Sequence, residues 1–186
     1  MDKQNNSIVE TAVFAGGCFW CTEAVFQRLN GVEEVLSGYT GGTIKNPAYR
    51  EICTGRTGHA EAIKITYDPS KVSYIELLEV FFATHDPTTL NRQGNDVGTQ
   101  YRSEIFYTTS QQKKQAEEFI ALLEKERIFG SPVVTAISEE KPFYVAEDEH
   151  QNYYNDHRQQ PYCQFIIDPK IKKLNAYFSK KLNTTN

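Results

Sequence analysis

The run Gly16-Gly17-Cys18-Phe19-Trp20-Cys21-Thr22-Glu23 constrains this chain more than any other stretch. Before it, Thr11 to Ala15 is apolar and β-compatible; after it, Phe19 to Leu29 carries apolar residues at helical spacing. The two glycines free the backbone for a tight turn between them. A strand must therefore hand over to a helix here, with the Cys18 thiol at or near the helix N-terminus. Unpaired amide N–H groups and the positive end of the helix dipole favour a thiolate there, which predicts a reactive cysteine.

Two aromatics follow that cysteine directly. Phe19 and Trp20 have a plain reading as core packing, since large aromatics are usually core. Their place beside the nucleophile favours a second reading, a hydrophobic cradle that holds a small apolar group such as a methyl against the sulfur.

The four cysteines, at 18, 21, 53 and 163, lack the dense even spacing of a secreted disulfide scaffold and suit a reducing compartment. A zinc site would want a second close pair, and Cys53 and Cys163 each stand alone, so no metal is expected. Cys53 reads as a small buried hydrophobe. A chain of 186 residues fits one domain, 1–186, with a polar tail at 1–9 and a core over about 10–182. A net charge of −4 gives no basic footprint for nucleic acid, and no apolar run approaches membrane-spanning length. The polar start lacks a signal-peptide core, so a soluble, cytoplasmic protein is expected.

Along the chain, Val32 to Thr40 reads as a strand, then Gly38 to His59 as a long glycine-rich loop, then Ala60 to Tyr67 as a strand. On composition alone Glu61 is an exposed strand carboxylate and Tyr49 a turn tyrosine. His59 is a candidate acid or a structural hydrogen-bonder. Ser73 to Glu76 fits a capping box before a core helix ending near His85 to Pro87. Asn91 to Arg102 forms a second, polar loop, and a strand follows over Tyr101 to Tyr107. Ser110 is expected to cap a helix to about Ile128, with a short strand at Val133 to Ile137 after it. Glu147 to His157 looks helical; its Glu147, Asp148, Glu149, His150 and His157 invite a metal, but the acidic run more simply marks a helix N-terminal turn. Pro161 to Ile167 reads as extended, and Pro169 to Leu182 as a basic amphipathic helix. The pattern is α+β, a two-layer sheet with helices.

The opening motif resembles that of the A-type peptide methionine sulfoxide reductases, which act on the S epimer of the sulfoxide. So do Gly38-Tyr39-Thr40-Gly41-Gly42, Asn46-Pro47-Ala48-Tyr49, Thr57-Gly58-His59-Ala60-Glu61 and Gln93 to Arg102, in the same order. The resemblance spans about Thr11 to Ile167 and implies a ferredoxin-like α/β core. It implies Cys18 as nucleophile, Phe19 and Trp20 around the substrate methyl, and Tyr49, Glu61, Asp96 and Tyr101 on the polar side. It further implies methionine sulfoxide, in proteins and peptides or free, as substrate, thioredoxin as reductant, no cofactor, and a monomer.

The chemistry those groups offer is coherent. A sulfoxide oxygen leaves only if protonated, and a Glu61 made neutral by burial would supply the proton while Tyr49 and Tyr101 hold the oxygen. The sulfenic acid left on Cys18 would condense with a second thiol. Cys21 is near, but residues three apart on a helix sit about 5–6 Å apart at Cβ, wider than a disulfide prefers. Cys163, after Tyr162, matches the family's resolving Tyr-Cys and is favoured on the expectation of a movable segment. The rival class is a thiol–disulfide carrier, for which Cys18-Phe19-Trp20-Cys21 alone would suffice.

Overall fold

The computed structural model describes residues 8–183. Of the polar tail expected at 1–9, residues 1–7 lie outside the described residues. In chain order the elements are β1 (Glu10–Gly16), α1 (Phe19–Phe26), β2 (Val32–Thr40), α2 (Tyr49–Ile52), β3 (Ala60–Tyr67) and α3 (Tyr74–Thr84). There follow β4 (Arg92–Gln93), β5 (Asp96–Val97), β6 (Ser103–Tyr107), α4 (Ser110–Lys125), β7 (Ala136–Glu139), β8 (Tyr144–Val145), α5 (Tyr153–Asp156) and α6 (Asp168–Phe178).

Six strands form one mixed sheet in the order β7-β6-β1-β3-β2-β8, in which only the β6–β7 pair is parallel. The strand period of two sorts its faces. Ala12 and Phe14 of β1, with Ile63, Ile65 and Tyr67 of β3, join the main core, whereas Val13, Ala15, Ala60 and Ala62 pack under Phe106 on the other side. Glu61 shares its face with Ile63 and Ile65. That face is covered by α1 and α3: Phe14 lies 4.8 Å from Phe81 and 5.8 Å from Phe26, ring centre to ring centre. Each such buried side chain contributes about 1.5–3 kcal/mol.

Helix α1 is buried on nearly every side, so its amphipathic period is weak and it serves as a core helix. It stops at Phe26, short of the expected Leu29; Leu29 instead bridges to Leu182. Ser73 caps α3 by accepting from the Glu76 N–H, as its sequence signal implies. The cap of α4 is Thr109, one residue before the expected Ser110, and accepts from the Gln112 N–H.

Three expectations are overturned. Glu147 to His157 is not one helix: Asn152 adopts a left-handed φ of 56°, and the Gln151 side chain leaves to pair with the Ser37 backbone, splitting the stretch into two short turns. Pro161 to Ile167 is not extended: a π-helical turn at Cys163–Ile167 runs into α6. Cys163 and Ile167, four residues apart, are both fully buried, so helical spacing wins over the β propensity of the isoleucines. The strand expected at Val133 to Ile137 begins at Ala136. Four short elements were not anticipated: α2 inside the glycine-rich loop, the paired β4 and β5 inside the polar loop, and the two-residue β8 at the sheet edge.

Candidate active site

Cys18 is the N-cap residue of α1, and its side chain makes no capping hydrogen bond, so the sulfur is not spent on the helix. Gly17 before it has φ +94°, and a Cβ there would lie 2.7 Å from the Gln93 side chain; only glycine suits both demands. The first amide of the helix, Phe19 N–H, donates to Glu61 Oε1 at 3.2 Å. Glu61 is 2% exposed. Burial pushes its carboxyl up to about 8, against the Phe19 amide, with Asp96 and Cys21 adding to the rise. It is therefore neutral near physiological pH, and with Oε1 accepting from Phe19 the proton resides on Oε2.

Cys18, Cys21 and Cys163 are all buried, in one cluster with Ala24, Tyr154 and Ile167. The Cys21 N–H donates to Cys18 O at 3.1 Å, closing the first turn. Burial, then interaction with Cys21, then the charge of Glu61 push the Cys18 thiol well above its ordinary value. The expectation that the helix N-terminus alone would leave a thiolate on Cys18 is thus corrected: desolvation dominates. Cys21 moves the other way, lowered first by its hydrogen bond with Cys18 and, against burial, by the charge of Lys170. Tyr162 Oη donates to Asp96 Oδ2 at 2.9 Å and lies 3.6 Å from Cys21 Sγ.

An aromatic wall stands beside the thiols. Trp20 stacks on Tyr153 at 3.8 Å and 8° and meets Tyr162 edge-on. Its indole N–H donates to His150 Nδ1 at 3.2 Å. His150 packs on Phe19 at 5.5 Å and on Tyr49 at 4.3 Å. Phe19 is fully buried in the main core, so both readings of the aromatic pair meet: Phe19 is core, and Trp20 is the partly exposed surface. Tyr101 packs against the cysteine cluster. Burial, and after it Glu61, Asp96 and the cysteines, raise the phenol of Tyr101 well above its ordinary range, so it is a donor.

The loops bearing these groups are sewn together. Thr99 donates to Gly55 O at 3.0 Å, and Arg102 reaches Thr99 O, Gly58 O and Glu104. His59 has both nitrogens engaged, Nδ1 accepting from Gly42 N–H and Nε2 bonding to Ile44 O, and is a structural hydrogen-bonder. Cys53 is exposed, against the expectation of a buried hydrophobe. Of the suggested acidic and histidine cluster, Glu147, Glu149 and His150 lie together, with His150 Nε2 at 3.5 Å from Glu147. His157 stacks instead on Tyr153.

A cavity of about 310 Å³ opens beside Cys18 and Cys21, walled by Asp96 and its hairpin, Tyr162, Ile166 and Lys170. Of the named candidates Cys18 and Asp96 line this cavity; Glu61, Tyr49, Tyr101, Phe19 and Trp20 do not, Glu61 being tied to the residue after Cys18 and Tyr49 packing on His150 behind Trp20. The sequence reading missed Tyr162, Tyr153 and Lys170 as neighbours of the thiols, and His150 as the partner of Trp20. Tyr162 carried a signal, its place beside Cys163; Lys170 carried none beyond being one of several lysines on α6.

The family model of peptide methionine sulfoxide reductase matches residues 10–182. MsrA of Deinococcus radiodurans is 57% identical over 96% of this chain and 87% of its own, and MsrA of Sulfolobus acidocaldarius 55% identical over 93% and 97%. Among solved structures, reduced Mxr1 of Saccharomyces cerevisiae superposes with a TM-score of 0.77 at 31% identity, covering 87% of this chain and 92% of that one. Methionine sulfoxide reductase A of Corynebacterium diphtheriae gives 0.74 at 35% identity, over 86% and 80%. The chain belongs to the peptide methionine sulfoxide reductase family, on the side of its MsrA members.

Proposed function

We propose that this chain reduces the S epimer of methionine sulfoxide, in proteins, in peptides or as the free amino acid, to methionine. The observation that carries the mechanism is the neutral, buried Glu61 hydrogen-bonded to the residue next to Cys18. Glu61 gives its proton to the sulfoxide oxygen, and Tyr49 and Tyr101 hold that oxygen. Cys18 attacks the sulfur, its own proton returning to Glu61; in the adduct the hydroxyl passes to the Cys18 sulfur as the substrate S–O bond and the transient S–S bond break, releasing methionine and leaving a sulfenic acid on Cys18. Trp20, backed by Phe19, receives the methyl, and Asp96 orients the polar side through Tyr162. Handedness at sulfur follows from a cradle on one side and donors on the other.

The sulfenic acid passes inward. Cys21 is the thiol in contact with Cys18, and Cys163, the expected resolving thiol, is packed against Cys21 and raised partly by it. The path is Cys18 to Cys21 to Cys163, and because Cys163 is fully buried the helical turn at Cys163–Ile167 must open before an external dithiol of the thioredoxin class reaches the disulfide. Four free cysteines suit a reducing cytoplasm. Among the described residues no helix is long and apolar enough to cross a membrane. The order β1-α1-β2-β3-α3-β6, with the four strands adjacent as β6-β1-β3-β2, supports a ferredoxin-like core, which we read as one catalytic domain of a monomer. The test is to supply each resolved sulfoxide diastereomer with dithiothreitol. Methionine from the S form alone is expected; no methionine, or equal consumption of both forms, overturns the reading.

A further inference from the structure

The cavity beside the thiols holds a charge that the reduction mechanism does not use. Among the described residues that line it, Lys170 is the one cation and Asp96 the one carboxylate. Lys170 lies on α6, well inside a continuous helical run that begins at Pro161. It is held there from outside its own helix: Nζ donates to Thr84 O at 2.7 Å, a carbonyl at the C-terminal end of α3. That bond takes one of three ammonium donors, and among the described residues it is the one hydrogen bond Nζ makes. Lys170 lines the cavity that Cys18 and Cys21 also line, and with Thr84, His85 and Asp86 it lines a second one on its other side.

We propose that Lys170 is a positioning residue that makes Cys21 the thiolate of the pair for the disulfide-forming step. This rests on the reading of Cys18 as the oxidised residue. A cation beside a partly desolvated thiol favours its anion. The titratable groups around Cys21 are Cys18, Tyr162, Asp96, Glu61, Cys163 and Lys170. Asp96 opposes the anion; Lys170 is the one ionised group that supports it. The coupling is reciprocal: burial lowers Lys170, and the charge of Cys21 is the first influence to raise it again, with Cys18 and Asp86 aiding and Lys173 opposing. In the step itself Cys21 sulfur attacks the Cys18 sulfenic sulfur. The S–S bond forms, the S–O bond breaks, and the oxygen leaves as water with the proton that Cys21 gave up. Without a cation at this position the sulfenic acid would persist longer, open to further oxidation.

The test is a single turnover without reductant, following sulfenic acid by chemical trapping across a pH series in wild type, Lys170→Met, Lys170→Gln and Lys170→Arg. Lys170→Gln keeps a donor for Thr84 O but loses the charge. Met and Gln variants are expected to move the midpoint of the disulfide-forming rate upward by about one pH unit, and to slow it about threefold near neutrality. The loss in thiolate is partly offset by the greater nucleophilicity of a more basic thiol. Lys170→Arg is expected to stay with wild type. A Gln variant that tracks wild type, or slowing by the same factor at every pH, overturns the proposal. Methionine release in the same samples separates the two ideas: none from wild type overturns the reduction reading and Lys170 with it, whereas normal release with an unmoved midpoint overturns Lys170 alone.

Discussion

The Phe19 amide and Glu61 Oε1 form a 3.2 Å hydrogen bond that ties the first residue of α1 to the second residue of β3. One bond thereby sets the distance between thiol and acid through backbone on one side and a rigid central strand on the other. It also fixes which carboxyl oxygen is free. The acid is aimed by the fold and not by a mobile loop.

Glu61→Gln keeps the shape and the bond to Phe19 but has no proton to give. The expected loss is about 10²–10⁴ in the sulfenic-acid-forming step, the usual range for general acid catalysis. Rapid-quench measurement of methionine in a single turnover checks it; a fall under about threefold would mean that the polar groups only bind the oxygen.

Glu61 also makes a stability prediction with a definite sign. Its folded value, about 8, lies above the ordinary 4.5, so the folded state holds the proton more tightly than the unfolded chain. Its contribution is fully present below the unfolded value and is lost as pH rises through the folded one. Glu61→Gln should therefore gain thermal stability over wild type between pH 4.5 and 8 and keep that gain above. Melting curves at acid and alkaline pH test this, and a gain that is the same at both extremes contradicts the buried neutral acid.

How much of this was legible in the sequence is clearest in β3. Composition favours an exposed Glu61, yet the period of two places it on the face of Ile63 and Ile65, which is the core face. The signal was present and was outweighed by the rarity of buried carboxylates. The strand-to-helix handover at Cys18 was legible because glycine and apolar spacing change together there. The ionisation of Cys18 was not, because desolvation depends on what packs around the thiol and not on its place along α1. The segment at Cys163 was misread because Phe165, Ile166 and Ile167 favour strands in isolation. Its helical form follows from Cys163 and Ile167 being drawn into the same interior cluster.

His150 should matter through Trp20. Its Nδ1 accepts the indole N–H, so His150→Ala leaves that donor without its partner at a cost of about 1–3 kcal/mol. The chain has one tryptophan, so its fluorescence reports on Trp20 alone. A changed emission together with a raised KM is expected; unchanged emission with normal KM would show that the cradle does not need this bond.

The thiol path predicts what each cysteine variant traps. After one equivalent of oxidant, Cys163→Ser should hold a Cys18–Cys21 disulfide and turn over poorly with thioredoxin, while Cys21→Ser should accumulate sulfenic acid on Cys18. Peptide mapping decides. Full thioredoxin-coupled turnover in Cys163→Ser would remove Cys163 from the path, and rapid disulfide formation in Cys21→Ser would remove Cys21.

The central claim is that Cys18 takes the sulfoxide oxygen. Its most direct test is a reductant-free single turnover with the S sulfoxide, with methionine and protein oxidation read together by mass spectrometry in wild type and in Cys18→Ser. The account predicts about one methionine per wild-type chain, with one disulfide formed among Cys18, Cys21 and Cys163, and no methionine and no oxidised cysteine from a folded Cys18→Ser. Methionine formed by Cys18→Ser, or by a wild-type chain in which Cys18 remains a free thiol and another cysteine is oxidised alone, would contradict it.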